Sequence, residues 1–468
     1  MTMRSAKPSL RAIRLQARLI LGAVAAITLT GCATLTSEHT DQLLVAHKDG
    51  YPIDLQRAAV LPDTFDSTVW NRVRASIDDY ILRQEAVGRV PRLVVYVHGG
   101  LRTYQESLDY VARVLEAQKD SLFTQLASYH FLFVLWDSSL ATSVLDDLVW
   151  LRFGESRATG PPSALFVTAS RLAATGFLAP QSWYVQFGNA VDAVGVRDTK
   201  RWPWTECSLS QPDVDSNGSA LVNAAAFAML YPLRALTVPV IHAFGTPAWD
   251  TMKRRAELLL ATEKAISLKE PLRHWRGAVR VLMDDLRAQM PHGRWHGADG
   301  RDHELRITLM GHSMGTLVLD RILDEYHDVR FEKIVYMAAA ASIDDVRSAV
   351  IPYLVHHQAT TFWSFSLSET REALEWGSLD MVDRGSLLVW IDHYFQRINA
   401  PGDRVFGRAK NLREYFTPPD QVPARFFLVK LKNGREDPRR HGEFSEPRML
   451  DAVFRITDGA SKTCTVTR

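Results

Sequence analysis

At 468 residues and 46% apolar composition, the chain has enough apolar surface for a large core, in one big domain or in one domain carrying a long insertion. Its 55 basic and 53 acidic residues leave a formal net charge of +2, and no basic stripe offers nucleic acid an electrostatic footprint. No internal repeat and no low-complexity stretch interrupts it.

The first residues carry Arg4, Lys7, Arg11, Arg14 and Arg18 with no acidic side chain. An apolar run from Leu19 to Thr30 follows, and then Gly31-Cys32. That order predicts a secretory signal over residues 1–31, too short in its apolar part for the ~20 residues of a membrane-spanning helix. Leu29-Thr30-Gly31-Cys32 resembles the lipobox of bacterial lipoproteins, which implies cleavage before Cys32 and acylation of that cysteine. Ala33 in the following position then implies an outer-membrane destination facing the periplasm. Without the signal, 50 basic residues face 53 acidic ones, a net −3, so the positive balance belongs to the leader. Cys207 and Cys464 remain. An oxidising compartment permits a disulfide between them, and two free thiols are equally open because sequence separation says nothing about Cα distance.

Residues 32–90 read as a tether followed by an N-terminal helix, with Phe65, Val69, Trp70, Val73, Ile77, Tyr80 and Ile81 on one helical stripe. Residues 91–468 read as the main domain. Leu93–Val97 is a continuous apolar run ended by His98-Gly99-Gly100, the pattern of a strand buried on both faces. A helix with Tyr104, Leu108, Val111, Ala112 and Leu115 in register and a second buried run, His130–Trp136, complete a βαβ unit. The alternation is then broken from about residue 139 to 269 by an aromatic-rich insertion. It reads either as a helical cap with its own small core or as a lid that exposes an apolar face to lipid. Alternation resumes with a helix from about Pro271 to Ala288, strands at Leu305–Met310 and Lys333–Met337, a helix from Met314 between them, and later strands at Thr360–Leu367 and Ala424–Leu431.

Gly311-His312-Ser313-Met314-Gly315 falls between a strand and a helical stripe. A serine on such a turn needs small neighbours, because larger side chains would clash with the adjoining strand and helix, and its Oγ then projects above the carboxyl edge of the sheet. Ser313 is therefore the candidate nucleophile. Glycines at 99 and 100 let backbone N–H groups approach a developing oxyanion, which assigns the hole to the backbone around Gly99, Gly100 and Leu101 together with the N–H of Met314. With chain order serine, acid, histidine, the base follows the last strand and is His441. The acid follows the penultimate strand, where Glu369 and Glu372 both qualify. Glu369 could equally cap the next helix, and Asp380 and Asp383 rank below both. His292, His296 and His303 lack a completing cysteine or carboxylate cluster and read as loop residues, not as a metal site.

Together these residues resemble the α/β-hydrolase superfamily, and within it esterase-like bacterial lipoproteins, over roughly residues 92–456. The resemblance implies a mostly parallel, doubly wound sheet with a long helical cap insertion. It also implies a serine esterase or lipase, needing no cofactor or metal, that cleaves small-molecule or lipid esters through an acyl-enzyme while held at a membrane by its lipid anchor. Glutamate in place of the usual aspartate is the departure. The same triad would serve an acyltransferase, and a scaffold that has lost catalysis would carry His441 far from Ser313.

Overall fold

The computed structural model describes residues 37–54, 59–60, 67–149, 151–152, 155–156, 161–195, 205–209, 220–262, 276–375, 385–416, 425–432, 434, 436–459 and 464–466. The expected signal, Cys32, Asp380 and Asp383 lie outside them. The chain divides into two units, residues 1–38 and 39–468. All that follows concerns the second.

Apart from two two-stranded ladders, Leu151–Arg152 with Glu155–Ser156 and Trp295–His296 with Asp302–His303, its strands are β1 (Leu43–Ala46), β2 (Pro52–Asp54), β3 (Ala59–Val60), β4 (Arg92–Val97), β5 (His130–Trp136), β6 (Thr205–Cys207), β7 (Arg306–His312), β8 (Lys333–Met337), β9 (Thr361–Ser366), β10 (Phe426–Leu431) and β11 (Cys464–Val466). They form one sheet in the order β11-β6-β10-β9-β8-β7-β4-β5-β1-β2-β3. From β6 through to β1 every neighbouring pair runs parallel, and only the margins β11, β2 and β3 run antiparallel.

The helices are α1 (Ser67–Ala86), α2 (Tyr104–Lys119), α3 (Leu140–Val149), α4 (Pro161–Gly195), α5 (Ala220–Leu258), α6 (Ala278–Gln289), α7 (Gly315–Glu325), α8 (Ile343–His356), α9 (Glu369–Leu374), α10 (Leu387–Trp390), α11 (Ala409–Tyr415) and α12 (Pro447–Thr457). Register assigns them to faces. Met310 of β7 pairs with Tyr96 of β4 and with Val335 of β8, so these three side chains share a face and Tyr336 points to the other. Tyr96 meets Tyr110 of α2 at 5.6 Å, whereas the Tyr336 hydroxyl donates to Asp320 of α7 at 2.6 Å. Helices therefore cover both faces, which is why β4 and β5 are apolar without alternation. The protein is α/β with a mostly parallel, doubly wound sheet.

Two segments differ from the sequence reading. Leu43–Ala46, within the expected tether, is buried and extends the sheet parallel to β5. Four residues are too few to carry a periodic signal. The insertion also returns to the sheet: β6 pairs with β10, and β11 closes that edge with Cys464 opposite Cys207 in register. Cys207 is disulfide-bonded. The rest of the insertion's described residues are mainly helical. Helices α4 and α5 lie along one another, joined by Trp183 Nε1 donating to Ala235 O at 2.6 Å. At the far end of α5, Arg255 binds the Asp137 carbonyl at 3.0 Å and the Asp146 carboxylate at 2.7 Å.

Candidate active site

Ser313 stands directly after β7, between β4 and β8, with α7 beginning two residues later. Its φ is +51°, a left-handed backbone that a non-glycine residue adopts only when its surroundings hold it there. The hold is visible. Its N–H donates to Met337 O at 2.9 Å, and its carbonyl accepts from Ala340 N–H at 3.1 Å and from the Thr316 hydroxyl at 2.7 Å. A Cβ on Gly311 would come within 2.9 Å of Leu319 Cδ1, and one on Gly315 would collide with the Val97 carbonyl. Both glycines are therefore steric requirements of the turn.

The His98-Gly99-Gly100 corner leans on this turn. A Cβ on Gly99 would lie 2.7 Å from His312 Nδ1 and 2.9 Å from Ser313 Cβ. His98 ties the corner to β5: its Nδ1–H donates to Gly99 O at 2.6 Å and its Nε2 accepts from Trp136 N–H at 3.1 Å. Burial drives its pKa down to about 4, so the neutral ring fits this paired role. The oxyanion expectation needs one correction. Leu101 also has a left-handed φ of +66°, and that turns its N–H onto Ser138 O at 2.8 Å, where it is spent. Among the described residues the N–H groups of Gly100 and Met314 meet no backbone acceptor.

His441 opens a short 3₁₀ turn beyond β10 and is brought to the serine turn. Its carbonyl accepts from His312 Nε2–H at 3.1 Å, and the two imidazoles stand 5.0 Å apart. Burial, with Arg102 nearby, lowers its pKa to about 4 and leaves it neutral, the form a base requires. Ser313 Oγ and both ring nitrogens of His441 are buried and, among the described residues, have no hydrogen-bond partner, so they are not bonded to each other. His312, the residue between Gly311 and Ser313, is the side chain that meets His441, a contact that the sequence reading passed over.

The carboxylates divide. Glu369 opens α9, but the side chain capping that helix is Ser368, which accepts from Arg371 N–H. Glu369 instead pairs with Arg413. Glu372 is buried, among the described residues neither oxygen has a hydrogen bond, and Arg408 Nε stands 3.9 Å away. Burial raises its pKa well above the carboxylate range against the pull of Arg408. Glu375, one helical turn further and absent from the expected set, accepts the His441 backbone N–H at 2.9 Å.

No family model, curated protein or solved structure matches the chain. The site's chemistry therefore rests on its own geometry. Among the described residues no group of three or more histidine, cysteine or acidic side chains could hold a metal ion. The loop reading of the three histidines needs correction: His296 and His303 lie on the two strands of a short antiparallel ladder, and His303 is buried between Glu85 and Asp299 at 3.0 Å each.

Proposed function

We propose that the protein is a serine hydrolase of the α/β-hydrolase type that cleaves carboxylic esters, including acyl lipids, through an acyl-enzyme on Ser313. The observation that carries this reading is the left-handed Ser313, held between a parallel strand and a helix, with neutral His441 bonded through its carbonyl to the adjoining His312. Neutral His441 takes the hydroxyl proton as Ser313 Oγ attacks the acyl carbonyl. The oxyanion meets the N–H groups of Met314 and Gly100, each such donor contributing about 100-fold in rate. The leaving alcohol receives the proton from His441, and water then attacks the ester on Ser313, returning the serine. Buried bonds of this kind tighten as substrate enters, so the missing Ser313–His441 bond fits a resting site. It equally favours a second reading, a hydrolase-fold scaffold without turnover.

The lipobox-like segment adds location: acylation at Cys32 anchors the chain in the cell envelope, at the outer membrane. A test is hydrolysis of p-nitrophenyl esters of increasing chain length by wild type and by Ser313→Ala. Turnover confined to wild type supports the hydrolase. Turnover unaffected by Ser313→Ala rejects it. Product capture by an added alcohol would assign the same serine to acyl transfer.

A further inference from the structure

We propose that the exposed face of the packed helices α4 and α5 is a membrane-docking surface whose partner is the interfacial region of a phospholipid bilayer. This rests on the anchored-hydrolase reading for its direction, and its evidence is the face itself. Leu165, Phe166, Leu172, Phe177, Tyr184 and Phe187 are all exposed, Phe177 at 87% and Tyr184 at 80%. At 3.6 residues per turn they fall within an arc of roughly 140°. On α5, Met229, Leu236 and Val240 form a second exposed stripe within about 40°.

Charge is missing from both. None of the exposed residues from Leu165 to Gly188 is charged; besides the apolar ones they are Ala, Ser, Gly, Pro, Trp and Gln. The described exposed residues from Met229 to Val240 are likewise uncharged, and the next exposed residue is Asp250. Scattered surface apolar residues are ordinary, but an exposed apolar stripe on each of two packed helices, with no exposed charge among the described residues of either stripe, is an interaction surface.

Chain length selects lipid as the occupant. Ten residues lie between Cys32 and Leu43, a segment that spans at most about 40 Å when fully extended. A body of some 430 residues has a radius of gyration of about 22 Å, so this leash keeps it against the bilayer. Helix α4 also packs on α9, which carries Glu369 and Glu372 and follows β9 at the same end of the sheet as Ser313. Docking would bring acyl chains to that end. Among the described residues no helix is long and apolar enough to cross a membrane.

The experiment is flotation of the mature chain, begun at residue 32 with Cys32→Ser so that it carries no acyl group, with phosphatidylcholine vesicles. Wild type should float. Phe177→Glu with Tyr184→Glu should reduce the vesicle-bound fraction at least about tenfold, since each loses a buried aromatic and gains a charge. Leu122→Glu, equally exposed at 79% but elsewhere, should float like wild type. Circular dichroism of each variant reports folding. Wild type that fails to float, a double variant that floats equally, or a dimer abolished by the double variant in protein that ignores vesicles would each overturn the proposal. Flotation needs no catalysis, so an inert Ser313 and an undocked hairpin are separate results.

Discussion

Glu369, Glu372 and Glu375 stand one helical turn apart, yet each carboxylate has a different occupation. Glu369 is spent on Arg413, Glu372 is buried without a hydrogen bond among the described residues, and Glu375 reaches the His441 backbone. Glu369→Gln should therefore leave ester turnover within a few-fold, as should Glu372→Gln, whose amide mimics a carboxyl that burial holds neutral, while Glu375→Gln loosens the His441 backbone and lowers kcat by more than either. Measuring kcat for the three variants decides it, and a large loss confined to Glu369→Gln would contradict the assignment. At this scale Ser313 and His441 were legible, because a strand, two glycines and chain order constrain them. Glu375 was not, since its contact depends on how the loop before His441 folds back. Nor was the engagement of Leu101 N–H, which a left-handed turn decides.

Among the elements, β4, β5, β7 and β8 were legible because strands buried on both faces are continuous apolar runs. The short strands β1 and β6 towards the sheet margins were not, because three or four residues acquire strand geometry only from the neighbours they pair with. The edge formed by β6 and β11 is held by the disulfide at Cys207. Cys207→Ala should lower stability by about 2–5 kcal/mol, read as a reduced urea midpoint, with reduction of the wild type having the same effect. An unchanged midpoint in both would mean that pairing alone secures the edge.

Across the whole molecule, neutral histidines are buried repeatedly. Burial lowers His98, His130 and His441 to about 4 and His393 to about 3, and holds His312 well below 6.5. These groups are protonated more readily in the unfolded chain, near pH 6.5. Stability is thus complete above about pH 6.5 and is lost as the pH falls from there towards 4, at up to about 1.4 kcal/mol per histidine per pH unit. Raised carboxyls, Asp320 and Glu372 foremost, act in the opposite sense. The lowered histidines, His242 among them, are more numerous than the raised carboxyls, which also include Asp285 and Asp437, so the urea midpoint should fall between pH 7 and pH 5. A midpoint that rises over that interval would mean that the histidines are not buried neutral.

The central claim is that Ser313 is an activated nucleophile. It is tested most directly by labelling the folded mature chain with a fluorophosphonate probe. Wild type should label covalently at Ser313, Ser313→Ala should not label at all, and His441→Ala should label far more slowly because the serine has lost its base. Absence of labelling in folded wild type, or labelling that survives Ser313→Ala unchanged, would contradict the account.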